Sequence, residues 1–224
     1  MVPSILEDND MDFASMPQTA LKVVTRPAAF FREMPKKGGF AEPLVFMAAV
    51  AVVSGLLQAV LGLLHLNAAA GLASSIVLMP IMTVVFGFIG AAILFVIWKL
   101  MGSSQDYETA YRCGAYLSAL GPITTVLGAI PYLGSIASLA IMTYYVVTAS
   151  VEAHMIGSKK AWTVFGAIGA VLVAISVTGQ YAARKFSSEM TRRAGEIPGQ
   201  SAEMKKQIEE MQKQLEAISK RRKR

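Results

Sequence analysis

Long apolar runs separated by short polar stretches fill the middle of the chain. A helix needs roughly 20 apolar residues to cross a hydrocarbon core of about 30 Å. Five runs approach this length, at residues 43–66, 74–98, 113–130, 133–151 and 161–182. The second run carries no charge, which disfavours a soluble helical bundle because such a helix has no polar face. The pattern predicts an all-α integral membrane protein with about five transmembrane helices in residues 43–182, followed by a helical C-terminal tail.

The third and fourth runs are joined differently from the others. The dipeptide Gly121-Pro122 interrupts the third run, because proline lacks a backbone donor and breaks a helix interior. Only Pro131-Tyr132 separates the third run from the fourth. We therefore expect a tight hairpin here, which either crosses the bilayer fully or partly re-enters it.

Two segments of different character precede the first run. Residues 1–20 are acidic, have little apolar content and are predicted to be disordered. They lack the basic start of a cleavable signal peptide. Residues 21–42 mix aromatic side chains with cations, which predicts an amphipathic helix in the bilayer interface, with an unstructured linker as the alternative. Thr25 is predicted to cap a helix whose first position is Pro27.

The C-terminal tail, residues 183–224, is basic and shows a heptad pattern over residues 204–218. Its apolar residues are spaced by four and three, which predicts a coiled coil that joins identical chains. This seam consists of Met204, Ile208, Met211, Leu215 and Ile218. A helix lying on the membrane surface and a solvated tail remain alternatives. The terminal cations are predicted to anchor the tail to lipid headgroups, and they are Arg221, Arg222, Lys223 and Arg224.

Composition and charge support a membrane protein. The chain is 54% hydrophobic and 16% charged, whereas soluble domains average about 25% charged residues. The 12 Lys/Arg and 6 Asp/Glu that follow Tyr181 account for the whole net charge of +6. Aromatic residues are not interleaved with these cations, so nucleic-acid binding is not expected. Cations of the short loops, including Lys99 and Lys160, lie on one predicted side together with the N-terminus, which is therefore placed in the cytoplasm.

No catalytic, cofactor or metal site is predicted. The single cysteine, Cys113, excludes an intrachain disulfide, and His65 and His154 fall on opposite predicted faces of the membrane. Catalysis would need a nucleophile with a base, a metal cluster or paired carboxylates. Arg112 and Glu152 lie at the same depth on antiparallel neighbouring helices, so we predict a structural ion pair between them.

Three stretches resemble the YIP domain family, the Ypt-interacting membrane proteins, in its bacterial branch. They are RPAAFFREMPKKGGFAEPLVF at 26–46, GSSQDYETAYRCGAYLSALGPI at 102–123 and IPYLGSIASLAIMTYYVVTASVEAHMIGSKKAW at 130–162. The positions that carry the resemblance are Gly114, Tyr116, Pro122, Pro131, Gly134 and Tyr144. The resemblance implies five spans with a cytoplasmic N-terminus, here in the bacterial inner membrane.

Eukaryotic members of that family bind Rab-type GTPases in vesicle traffic. This chain lacks the Asp-Leu-Tyr-Gly-Pro motif of the eukaryotic branch, so GTPase binding is not carried over to it. The resemblance supplies no catalytic residue either.

These observations favour a non-enzymatic, multi-pass membrane scaffold that self-assembles as a homo-oligomer and organises or shapes the membrane. The alternative is an oligomeric channel or transporter for a small molecule or lipid, and an intramembrane enzyme is the least favoured hypothesis. The expected partners are membrane lipids and further copies of the chain, and an unidentified protein partner stays open.

Overall fold

The computed structural model describes residues 13–64, 79–195, 206 and 209–214. The described residues are almost all helical and contain no strand. Within this described part of the chain, four helices are long and apolar enough to cross a membrane, which confirms the predicted all-α membrane fold. They are α3 (Ala41–Leu64), α4 (Met79–Leu100), α7 (Leu133–Glu152) and α8 (Ser158–Gly195). Each follows one of the apolar runs, because a charge-free stretch of this length satisfies its backbone only as a helix.

The third apolar run is not one continuous helix. It is divided into α5 (Tyr107–Leu117), a short 3₁₀ turn (Ser118–Leu120) and α6 (Gly121–Gly128). Pro122 lies in the first turn of α6, where its missing N–H costs nothing because first-turn donors have no helical partner. Eight residues of α6 rise only about 12 Å, so the predicted count of five full spans is approximate.

The turn between α6 and α7 depends on Gly134. A Cβ atom at this position would lie 1.7 Å from the carbonyl oxygen of Leu127. Gly134 N–H also donates to the carbonyl of Ile130 at 3.0 Å, and Tyr132 in the same turn has a φ of +61°. Only glycine lets the two helices meet so closely.

The N-terminal segment forms α1 (Met16–Thr25) and α2 (Pro27–Glu33). Pro27 is the first residue of α2, as predicted, but Thr25 does not cap that helix. The Thr25 hydroxyl donates to the carbonyl of Leu21 within α1 at 2.7 Å. Phe31 is fully buried, and α2 packs against α7, so the apolar face of this segment contacts protein.

The chain divides into two compact units, residues 1–177 and 178–224. The core of the first unit brings together residues from α1, α2, α4, α5 and α7. In the second unit, Met211 is exposed, and Lys213 forms an ion pair with Glu209 at 3.2 Å, one helical turn earlier. The other predicted seam and anchor positions lie outside the described residues, and these are Met204, Ile208, Leu215, Ile218, Arg221, Arg222, Lys223 and Arg224.

Candidate functional site

A polar cap covers the end of the bundle where α3 begins and where α4 and α7 end. We use the name cap for residues 16–40, residues 101–117 and the loop 153–157. Asp106 starts α5 as a true N-cap, since its carboxylate accepts from the Thr109 N–H at 3.0 Å. The Asp106 N-cap determines where α5 begins, and it therefore determines which side chains of α5 face α3.

Arg112 of α5 is the central charge of the cap, and only 1% of its side chain is exposed. Its Nη2 donates to Glu42 Oε2 at 3.0 Å, and its Nη1 donates to the Gly39 carbonyl at 3.0 Å. The Tyr116 hydroxyl donates to the second carboxylate oxygen of Glu42 at 3.1 Å. Glu42 is itself 59% exposed. The pair therefore joins a buried cation to an anion that still reaches the surface.

The loop that leads into α3 is held against α5 by backbone donors. The N–H groups of Gly38 and Gly39 both donate to Oε1 of Glu108, at 2.7 and 2.6 Å. Both glycines have positive φ, +139° and +83°, a conformation that side chains with a Cβ rarely adopt. The two adjacent donors form a small anion cradle that Glu108 already fills.

A second cluster of the cap surrounds His154. Its ring stacks on Trp98 with the centroids 3.8 Å apart, and Nδ1 lies 2.9 Å from the Ser103 hydroxyl. The Ser103 hydroxyl oxygen also accepts from the Gln105 N–H at 3.2 Å, which ties this contact to the loop before α5. Trp98 Nε1 donates to the Ser150 hydroxyl at 2.7 Å. Burial and the nearby lysines lower the pKa of His154 to about 4, so the ring is neutral at pH 7.

The N-terminal helices dock on α7 through polar and aromatic contacts. Arg32 donates from Nε and Nη2 to the two carboxylate oxygens of Glu152, at 2.8 and 3.1 Å. The Tyr145 hydroxyl donates to the carbonyl of Val24 at the end of α1. Phe30 packs edge-on against Tyr116 with a centroid distance of 5.0 Å. These contacts connect α1 and α2 to both α7 and α5.

The predicted ion pair between Arg112 and Glu152 is wrong. The structure does not bring the two residues together, since Arg112 pairs with Glu42 and Glu152 pairs with Arg32. The prediction considered only the spanning helices, whereas both real partners come from the segment before or at the start of α3. The carboxylate that pairs with Arg112 lies 70 residues away, and the cation that pairs with Glu152 lies 120 residues away. Pairs so far apart leave no periodic pattern in the sequence.

An apolar cavity of about 590 Å³ lies below the cap, between helices of the first unit. Its wall includes hydroxyl side chains, but Ser54, Thr124 and Thr143 each donate to a carbonyl of their own helix, at 2.9, 3.0 and 2.8 Å. The wall is therefore largely apolar. Gly87 and Ala91, four residues apart on α4, both line the cavity, a spacing of small residues that is typical of close helix packing in membranes.

Metal chemistry has no support among the residues that the structure describes. They contain no group of three or more His, Cys, Asp or Glu side chains that could hold a metal ion. Cys113 is a buried free thiol, and His154 is engaged in the Trp98 cluster.

The fold and the cap define an all-α, polytopic integral membrane protein. Residues 21–179 match the family model described as the Yip1 domain, and the chain belongs to this family of membrane proteins. The match confirms the family predicted from the three sequence stretches, and its bacterial branch stays a prediction. No curated protein and no solved structure matches the chain.

Proposed function

We propose that this protein is a non-enzymatic membrane scaffold that self-assembles and shapes or organises the bilayer. It would lie in the bacterial inner membrane with its N-terminus in the cytoplasm. The observation that carries the proposal is the cap, in which α1 and α2 are added to one end of the bundle over a depth that matches a single leaflet.

The contacts of α7 give the depth of the cap. Arg32 of α2 meets Glu152, the last residue of α7, whereas Val24 of α1 meets Tyr145. The seven residues from Tyr145 to Glu152 rise about 10 Å along the helix axis. Residues 24–32 therefore cover roughly the last 10 Å of α7, which is the depth that interfacial helices occupy in a bilayer.

An asymmetric cross-section provides a physical route to membrane shaping. Helices α1 and α2 are added to the first unit at the cap, where α3 begins and α4 and α7 end, and α2 packs against α7. When protein occupies more volume in one leaflet than in the other, the bilayer is expected to bend so that the more occupied leaflet becomes convex. Assembly of several copies would add their effects, and the heptad seam of the tail is the segment that we propose for this assembly.

The cations of the first unit support a cytoplasmic cap. Lys36, Lys99 and Lys160 all lie in the cap or at the helix ends beside it, and Lys160 donates to the Met101 carbonyl at 2.9 Å. Basic residues of short loops remain on the cytoplasmic side of a membrane. This orientation places the wider end in the cytoplasmic leaflet.

The experiment measures how the labelled full-length protein distributes between a giant vesicle and a narrow membrane tube pulled from it. We expect the wild-type protein to be enriched on membrane in which the leaflet that contains the cap is convex. Phe31→Asp should abolish this enrichment, because a carboxylate on the buried face of α2 detaches that helix from α7. Circular dichroism and thermal unfolding of both forms would establish that the remaining helices persist.

Arg32→Gln is the matched control. It changes the net charge by the same amount on the same helix. Arg32 is 68% exposed and Glu152 is 18% exposed. Because the glutamine amide can still donate to the Glu152 carboxylate, we expect only a small loss in the free energy of unfolding. The apolar contacts of α2 remain, so this variant should sort like the wild type. Equal density of the wild-type protein on flat and curved membrane would refute the shaping proposal.

A channel or transporter is the second candidate, and the cavity favours its lipid form. An aqueous path needs polar groups that can bind water or solute. Three hydroxyls of the wall instead bond to their own helices, which favours an apolar cargo over a polar small molecule.

A further inference from the structure

The cavity opens sideways between α4 and α8. Ile93 of α4 and Leu172 of α8 both line the cavity and are exposed, at 58% and 45%. Leu117 of α5 lines the same cavity but is only 4% exposed, so it forms part of the inner wall. Ile93 and Leu172 belong to membrane-spanning stretches, and the medium outside the opening is therefore lipid hydrocarbon.

Gly90 keeps this space open on the α4 side. A Cβ added there would meet no atom within 4 Å, although Gly90 lines the cavity. One turn earlier, a Cβ at Gly87 would lie 2.7 Å from the Met47 sulfur. Met47 of α3 therefore packs closely against α4 at Gly87, whereas the position of Gly90 faces open space.

We propose that the cavity binds one acyl chain of a bilayer phospholipid, which enters between α4 and α8. The wall is mostly apolar, and the hydroxyls of Ser54, Thr124 and Thr143 bond to carbonyls of their own helices. A hydrocarbon chain therefore leaves these three hydroxyls paired when it binds there. The volume of about 590 Å³ falls in the range of small-molecule sites. A helix from a second copy, at a diameter of 10 Å and three turns, would need more than ~1,000 Å³.

The test uses a phospholipid with a photoreactive diazirine in the middle of one acyl chain. The full-length protein is reconstituted with this probe, irradiated and mapped by mass spectrometry. We expect labelling at Leu117, which hydrocarbon reaches only through the cavity. Phe86, which is exposed on α4 and does not line the cavity, serves as the reference for general contact with lipid.

Gly90→Leu should lower the ratio of Leu117 to Phe86 labelling about tenfold, because the new side chain occupies the space of the bound chain. Gly62→Leu is the matched control, since Gly62 lies in α3, also has no atom within 4 Å of an added Cβ, and does not line the cavity. It should leave the ratio unchanged, and equal thermal stability of the two variants excludes misfolding.

Three outcomes would overturn the proposal. Leu117 could remain unlabelled in the wild type while Phe86 is labelled, Gly90→Leu could leave the ratio unchanged, or a diazirine fatty acid could label Leu117 where the phospholipid does not. This inference does not rest on membrane shaping. Labelling and tube sorting are separate readouts, so one proposal can fail without the other.

Discussion

Substituting the two residues of the Arg112–Glu42 ion pair should destabilise the protein by different amounts. Arg112 is 1% exposed and Glu42 is 59% exposed. Glu42→Ala leaves a buried guanidinium whose remaining hydrogen bond is to the Gly39 carbonyl. Breaking a buried pair typically costs about 3–5 kcal/mol. Because this pair is partly solvated and one hydrogen bond survives, we expect a loss of about 2–3 kcal/mol in the free energy of unfolding.

Arg112→Met removes the buried member instead. Its apolar side chain suits the surroundings of α5, and the Glu42 carboxylate stays hydrated and still accepts from Tyr116. We expect a loss of only about 1 kcal/mol, mainly from the unpaired Gly39 carbonyl. The double variant should be about as stable as Arg112→Met alone, since Glu42 matters only while the guanidinium is present.

Both free energies can be measured by SDS titration in mixed micelles. The fluorescence of Trp98, which is fully buried in the core beside the cap, should report the unfolding. The reasoning is refuted if Arg112→Met destabilises the protein as much as Glu42→Ala or more. That result would mean that the Arg112 guanidinium itself stabilises the folded protein, and that Glu42 does more than compensate for a buried charge.

Three further predictions concern the cap, the α6–α7 turn and the tail. The pKa of His154 is lowered to about 4 in the folded protein, so as the pH falls the unfolded chain binds a proton at this residue first. The free energy of unfolding should therefore decrease between about pH 6.5 and 4, by up to about 3 kcal/mol. Melting temperatures of the wild type and His154→Gln across this range test the prediction, and parallel curves would contradict it. Gly134→Ala should cost about 2–4 kcal/mol because its Cβ overlaps the Leu127 carbonyl, whereas Gly128→Ala, with open space at its Cβ, should be neutral or slightly stabilising in the same titration. A chain ending at Gly195 should have the mass of a monomer in detergent while the full chain is an oligomer, and monomers in both cases would show that the heptad seam does not assemble the protein.

The sequence by itself determined which segments become membrane helices. An uncharged run of about 20 residues has no stable alternative to a helix in lipid, so α3, α4, α7 and α8 followed from composition alone. Proline acts locally as well, which is why the start of α2 at Pro27 and the interruption at Gly121-Pro122 could be read directly. The wrong cap at Thr25 shows the limit of such local rules, since the hydroxyl found an equally good acceptor within α1.

Only the tertiary structure decided which polar groups meet and where the bundle leaves space. Arg112 and Glu152 were recognised as charges in need of partners. Arg112 pairs with Glu42 at the start of α3, 70 residues away, and Glu152 pairs with Arg32 of α2, 120 residues away. The stacking of His154 on Trp98 and the cavity beside Gly90 likewise depend on how separate helices approach one another. Hydrophobic periodicity fixes the faces of a helix, whereas the packing of many side chains at once fixes its neighbours, and that information is not contained in any single segment.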